Sequence, residues 1–186
     1  HVYHNGFKVV SDDTDEGLYG KVAVVNLGIQ HMAESCLQGR GVMIDLRTHC
    51  GDERRMVGYD ELMAIIKKDD VEVSTGDLVC LHTGFADRIV AAATALNPEP
   101  VGAVCTVLDG GDRNLLNRIS ESGLAALISD NVAVEQSSSV AREMTEPGPV
   151  LPLHEHCLFK IGVPLDELWH LSKLAAWLRE NRRSRF

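Results

Sequence analysis

No run of apolar residues in the chain approaches the roughly 20 needed to span a bilayer, and no signal-peptide pattern opens it. There is no C-x-x-C pair, no G-x-G-x-x-G and no P-loop sequence, so nucleotide binding has no support in the sequence. Basic residues are in deficit: 18 Lys+Arg against 27 Asp+Glu leave a net charge of −9. That balance weighs against a general nucleic-acid binder, which needs a surplus of cations to neutralise phosphates. The five cysteines, Cys36, Cys50, Cys80, Cys105 and Cys157, form an odd, scattered set. Reduced thiols in a cytoplasmic compartment are therefore expected rather than a disulfide framework. Cys80 and Cys105 lie among apolar neighbours, where cysteine acts as a small hydrophobe.

What is present reads as an ordinary globular chain. Its 186 residues are 45% hydrophobic and 24% charged, which excludes wholesale disorder. The length suits one domain that buries about two-thirds of its unfolded surface. The chain begins at His1 without a methionine and is read as a piece of a longer polypeptide.

Along the chain, Asn5-Gly6 is a hairpin-turn signal and Ser11 to Gly20 reads as an acidic loop. Val22 to Ser35 fits strand or helix, and its length favours helix. Strands are expected over Val42–Leu46, Leu78–Leu81, Val101–Leu108 and within Ala125–Glu135. Amphipathic spacing predicts a helix over Tyr59–Lys68, and helices are also expected over Arg88–Leu96, ending at Asn97-Pro98, and Asn114–Ser122. Glu143 to Pro152 is the longest loop. A short helical stretch follows around His154–Lys160, then a break at Gly162 and a longer helix from Pro164 to about Arg182. Strands and helices alternate without a visible linker or repeat, the pattern of an α/β fold: helices packed on a central mixed β-sheet.

The densest set of candidate ligands is His154-Glu155-His156-Cys157. Histidine, glutamate and cysteine are side chains that hold zinc or manganese. On a helix, His154 and His156 point roughly 200° apart, so only one can face a buried metal. His154 shares a face with Cys157, Leu158 and Ile161 and is the inward candidate. The plainer alternative is one satisfied core histidine and one solvated one. Glu167 lies in line with Leu171, Leu174 and Leu178, at the end of an apolar stripe where an unpaired charge is costly. It is read either as functional or as an acid at a helix start. His1 and His4 could be ligands or bases, Asp130-Asn131 could orient a group or cap a turn, and the basic tail Arg179–Arg185 is read as a solvated helix end.

Several segments together resemble the cyclase family of metal-dependent hydrolases, which includes bacterial kynurenine formamidases and isatin hydrolases. Gly39-Arg40-Gly41-Val42-Met43-Ile44-Asp45 is similar to the family's G-R-G-V-L-L-D strand. Thr75 to Phe85 resembles its G-D-x-(apolar)₃-R-T-G-W segment, with His82 in place of the usual arginine. Ser129-Asp130-Asn131-Val132-Ala133-Val134-Glu135 resembles a D-N-x-A-V-E stretch. Pro152-Leu153-His154, with Gly162 to Trp169, resembles the final P-L-H…G-M-P-L-G-E-x-W segment.

The resemblance implies a swivelling β/β/α-like architecture, with residues 1–186 forming one cyclase-like domain that lacks its N-terminal and C-terminal portions. It implies a divalent metal, zinc or manganese, held by His154 and Glu167. His1 matches the closing histidine of the family's upstream H-x-G-T-H-x-D-x-P-x-H motif and would act as the base. The remaining upstream ligands would precede His1. The implied reaction is hydrolysis of an amide C–N bond in a formamide or small cyclic amide by a metal-activated water. The expected partners are a small-molecule amide and further copies of the chain, in a homodimer or larger homo-oligomer, with no nucleic acid and no membrane. The alternative is a non-catalytic relative that keeps the fold and binds a small carboxylate or a protein partner. A cysteine hydrolase using Cys157 beside His156 is a weaker third reading, since no group is placed to orient the base.

Overall fold

A computed structural model of the chain describes residues 10–11, 22–23, 28–95, 104–136 and 149–186. Two short strands, β1 (Val10–Ser11) and β2 (Val22–Ala23), pair antiparallel and precede α1 (Ile29–Ser35). The expectation of one helix over 22–35 is thereby corrected. Val22 and Ala23 are claimed by pairing with β1, and the helix starts only after Gly28, whose extended backbone forms its N-cap. Next in order come β3 (Gly41–Asp45), α2 (Leu46–Cys50), β4 (Arg55–Val57), α3 (Tyr59–Lys68), β5 (Leu78–His82) and α4 (Phe85–Thr94). They are followed by β6 (Thr106–Leu108), α5 (Arg113–Ser122), β7 (Ala126–Ser129) and α6 (Pro152–His154). A π-helical segment (Glu155–Ile161) extends α6, and β8 (Leu165–Asp166) and α7 (Ser172–Glu180) complete the series. The hairpin signal at Asn5-Gly6 and much of the two predicted loops lie outside the described residues.

The strands β3, β5, β7 and β8 form one parallel sheet in that spatial order, and β4 and β6 form a separate parallel pair. Parallel sheets are covered on both faces, which is why β3, β5 and β7 read as continuous apolar runs. Alternate residues serve opposite layers. Ile44, Leu81 and Leu127 pack on one side with Leu62 and Ile65 of α3 and Leu115 and Ile119 of α5. Met43, Cys80 and Ile128 pack on the other with Leu171, Ala175 and Leu178. α3 occupies the predicted span, with Asp60 and Glu61 in its first turn and Lys67 and Lys68 in its last, both favourable to the helix dipole.

The single helix expected from Pro164 to Arg182 is also corrected. Pro164 O accepts a hydrogen bond from Leu127 N at 3.0 Å, and Leu165–Asp166 continue alongside Leu127–Ile128 as a strand. The open side of β7 needs partners for its backbone groups, and meeting that need outweighs the helical spacing of the leucines until Ser172. Beyond α7 the chain turns back. Met43 N donates to Ser184 O at 2.7 Å, and Gly41 and Phe186 exchange two backbone bonds of 3.0 Å, adding an antiparallel partner to the outer side of β3. Among the described residues no helix is long and apolar enough to cross a membrane. All five cysteines are free thiols.

Candidate functional site

The parallel strands β3, β5, β7 and β8 end on Asp45, His82, Ser129 and Asp166, and Thr83, Asp130 and Asn131, just beyond the ends of β5 and β7, are polar and buried. The carboxyl ends of parallel strands are where open α/β sheets bind ligands. Several of these groups serve to fix the edge itself. Asp130 accepts bonds of 2.7 Å from Thr83 N, Thr83 Oγ1 and Gly84 N, which ties the end of β7 to the turn into α4. Of the two roles foreseen for Asp130, it takes that of a cap. His82 is buried with Nδ1 2.7 Å from Asp45 Oδ1 and Nε2 3.3 Å from Ser172 Oγ. Burial would raise the Asp45 carboxyl, but His82, Thr48 and Arg179 together hold it well below the usual carboxylate range.

A second arrangement forms where β6, α6 and β8 converge. Leu108 of β6 bonds Val134 O and Gln136 N, which sets Glu135 beside that strand with 1% of its surface exposed. Ala133 and Val134 both have left-handed backbones, φ 68° and 53°. For a β-branched valine that conformation is strained, and strain of this kind gathers at functional positions. The carboxylate of Glu135 accepts from Leu153 N at 2.8 Å, His154 N at 2.9 Å and His154 Nδ1 at 2.9 Å. It has room only because residue 110 is glycine: a Cβ there would lie 1.7 Å from Glu135 Oε2.

With Nδ1 committed to Glu135, the other nitrogen of His154 faces outward. His154 Nε2 lies 3.1 Å from Glu167 Oε1. Glu167 follows β8 directly, and Leu168 N donates to Asn131 O at 3.2 Å, so the carboxylate is positioned by pairing with the β7 end rather than by a helix. The bond to Glu135 is the main reason the His154 imidazole holds its proton more tightly than an ordinary histidine. Burial opposes this and Glu167 adds to it.

The structure thus brings together His154 and Glu167, two of the predicted site residues. His1, like His4, lies outside the described residues. His156 turns the other way, with Nε2 2.7 Å from Ser120 Oγ of α5. Cys157 is fully buried and its thiol is pushed up to about 12 by that burial, so it cannot supply the thiolate a cysteine hydrolase needs. Glu135 is the residue to which sequence reasoning gave no role. Its signals were its place at the end of the D-N-x-A-V-E stretch and the glycine pair at 110–111.

A histidine whose Nδ1 is fixed by a buried carboxylate and whose Nε2 faces another carboxylate has the arrangement of a metal ligand with its orienting partner. Among the described residues no group of three or more His, Cys, Asp or Glu side chains is placed to hold a metal ion. Glu135 sits behind the imidazole, which leaves His154 Nε2 and Glu167 as two converging donors. Their nitrogen and oxygen atoms suit zinc or manganese, and their 3.1 Å separation approaches the roughly 3.4 Å between two donors on one tetrahedral zinc.

The family model described as "Putative cyclase" matches residues 5–136. The chain belongs to the cyclase family. That stretch carries the cyclase strands ending on Asp45, His82 and Ser129 and closes on the Glu135 segment; His154 and Glu167 lie beyond it. The crystal structure of a novel cyclase is similar with a TM-score of 0.60 at 23% identity, over 80% of this chain and 45% of that one. The crystal structure of an isatin hydrolase bound to the product analogue thioisatinate is similar with a TM-score of 0.53 at 16% identity, over 79% of this chain and 51% of that one. Both share the fold, and the chain spans about half the length of each. No curated protein matches it.

Proposed function

We propose that this cyclase-family chain carries part of the centre of a metal-dependent hydrolase that cleaves an amide C–N bond, in a formamide or small cyclic amide. The observation that carries this reading is the Glu135–His154–Glu167 series, in which a buried carboxylate turns one imidazole nitrogen toward a second carboxylate. His154 and Glu167 would hold a zinc or manganese ion, and the remaining donors would come from sequence upstream of His1. When bound, the ion supplies Lewis-acid polarisation of the carbonyl and a more acidic water. Glu135 fixes the tautomer and the direction of His154. His1, by the family resemblance, would take a proton as water adds to the carbonyl carbon and return it to the departing amine nitrogen. A cytoplasmic homodimer or larger homo-oligomer is part of the same proposal, supported by the resemblance and by the unpaired cysteines.

The test is elemental mass spectrometry on the purified chain and on a version extended upstream of His1, followed by assays with formamides and cyclic amides. The expected result is at least one zinc or manganese per extended chain, lost in His154→Ala and in Glu167→Gln. Absence of metal from both forms would overturn the hydrolase reading in favour of a non-catalytic relative.

A further inference from the structure

The arginine-rich end of the chain takes no part in that chemistry; Arg179, Arg182 and Arg183 are exposed, as a solvated helix end would be, but the backbone beyond them is folded onto the sheet. A turn at Arg182, φ 52°, sends Arg183–Phe186 back along β3. Between this returning segment, α7 and the connection from α3 to β5 lies a cavity of about 390 Å³. Its floor is apolar: Met43, Val71, Ala175 and Leu178 line it and are all buried. Its rim is charged. Asp45 and Arg179 are bonded to each other, and Asp69 is bonded to His49 at 2.7 Å.

Three rim charges are left over. Asp70 and Arg182 line the same cavity from different segments, both are exposed, and neither side chain has a hydrogen-bond or ion-pair partner among the described residues. Among the described residues the Arg183 guanidinium has the face of Trp177 alone, 5.7 Å from the ring centroid. Two guanidinium groups and one carboxylate stand around an apolar floor without reaching one another. A ligand that completes this set needs an anionic group for the arginines, a cationic group for Asp70 and an apolar body between. Arginine is suited to the anionic end because its planar fork donates two parallel N–H bonds to a carboxylate. A cavity of this size lies at the small end of ligand sites.

We propose that this cleft binds a free α-amino acid with an apolar side chain, its carboxylate on Arg182 and Arg183, its ammonium on Asp70 and its side chain on the Met43–Leu178 floor. A simple carboxylate would leave Asp70 unmatched, and a simple amine would leave both arginines unmatched. The site is separate from the Glu135–His154–Glu167 series, which shares no residue with it.

The experiment is calorimetric titration of the whole chain with L-leucine and with its two halves, isocaproate and isoamylamine, alongside thermal melts. L-Leucine is expected to bind saturably in the range of about 0.1–1 mM, with each half at least about tenfold weaker. Arg182→Ala and Asp70→Asn should each weaken L-leucine at least about tenfold. Both should melt as the parent does without ligand, since neither side chain has a partner to lose among the described residues. No saturable L-leucine binding by about 10 mM, equal binding of either half, or unchanged affinity in either variant would each overturn the proposal.

Discussion

Glu135 accepts the Nδ1–H of His154 at 2.9 Å while also holding the backbone N–H groups of Leu153 and His154. One buried carboxylate thus organises both the start of α6 and the direction of the imidazole. Replacing it with glutamine keeps the shape but puts an NH₂ where an acceptor is needed, so one of three N–H donors loses its partner. Glu135→Gln is expected to cost about 1–3 kcal/mol in urea unfolding. In the upstream-extended protein it should weaken zinc or manganese binding by about 10–100-fold in a direct titration. Unchanged metal affinity would mean that His154 needs no orienting partner.

Gly110 makes that carboxylate possible. A methyl group there would sit 1.7 Å from Glu135 Oε2 and 3.1 Å from Leu153 N, both buried. Gly110→Ala should therefore destabilise by about 1–3 kcal/mol, a fall in Tm of about 2–12 °C for a chain of this size. Gly51→Ala is the contrast: it has φ 72° but open space around it, so any loss reports backbone strain alone. A melt of Gly110→Ala indistinguishable from the parent would show that the carboxylate has a second place to go.

Asp45 links β3 to β5 through His82 and to α7 through Arg179. Its folded pKa lies below the unfolded value near 3.9, so its contribution is fully present above that value and is lost as pH falls through the folded pKa. Unfolding free energies measured from pH 7 down to pH 2 should decline most steeply below about pH 4. Asp45→Asn should cost about 1–3 kcal/mol at pH 7, because the buried His82 loses its acceptor while the half-exposed Arg179 can turn to water, and should flatten the acid limb. An equally steep limb in the variant would assign the acid sensitivity elsewhere.

The thiols divide by environment. Burial pushes Cys80 and Cys157 up to about 12, whereas Cys36 is exposed. Ellman's reagent at pH 8 should modify Cys36 rapidly in the native protein, and Cys80, Cys105 and Cys157 only after denaturation. Cys36→Ser should remove the fast phase. A fast phase that survives in Cys36→Ser and also in a further Cys50→Ser variant, which removes the half-buried thiol, would show that the core around Cys157 opens readily.

How much of this was legible in the sequence depended on how local the cause was. Tyr59–Lys68 declared itself as a helix because its apolar stripe and its end charges all lie within the segment. The β3, β5 and β7 runs were legible because burial on both faces leaves an apolar block. Glu167 was seen as a candidate but set on the wrong element: β8 is two residues long and exists only because β7 lies beside it. The choice between His154 and His156 was likewise decided at a distance, by Glu135 and Ser120. Glu135 itself looked like one more carboxylate, and nothing nearby in the chain announced that it would be buried behind a histidine made later.

The strip from Ser184 to Phe186 that lies along β3 carries a consequence for synthesis. β3 is synthesised well before the segment that covers it, and until Ser184–Phe186 arrive its outer flank lacks the backbone partners they supply. Such a flank invites strangers. During translation the nascent chain would depend on chaperones or on dilution to keep that flank from joining a neighbour's, and truncation before Ser184 should favour aggregates over monomer even where the core has formed.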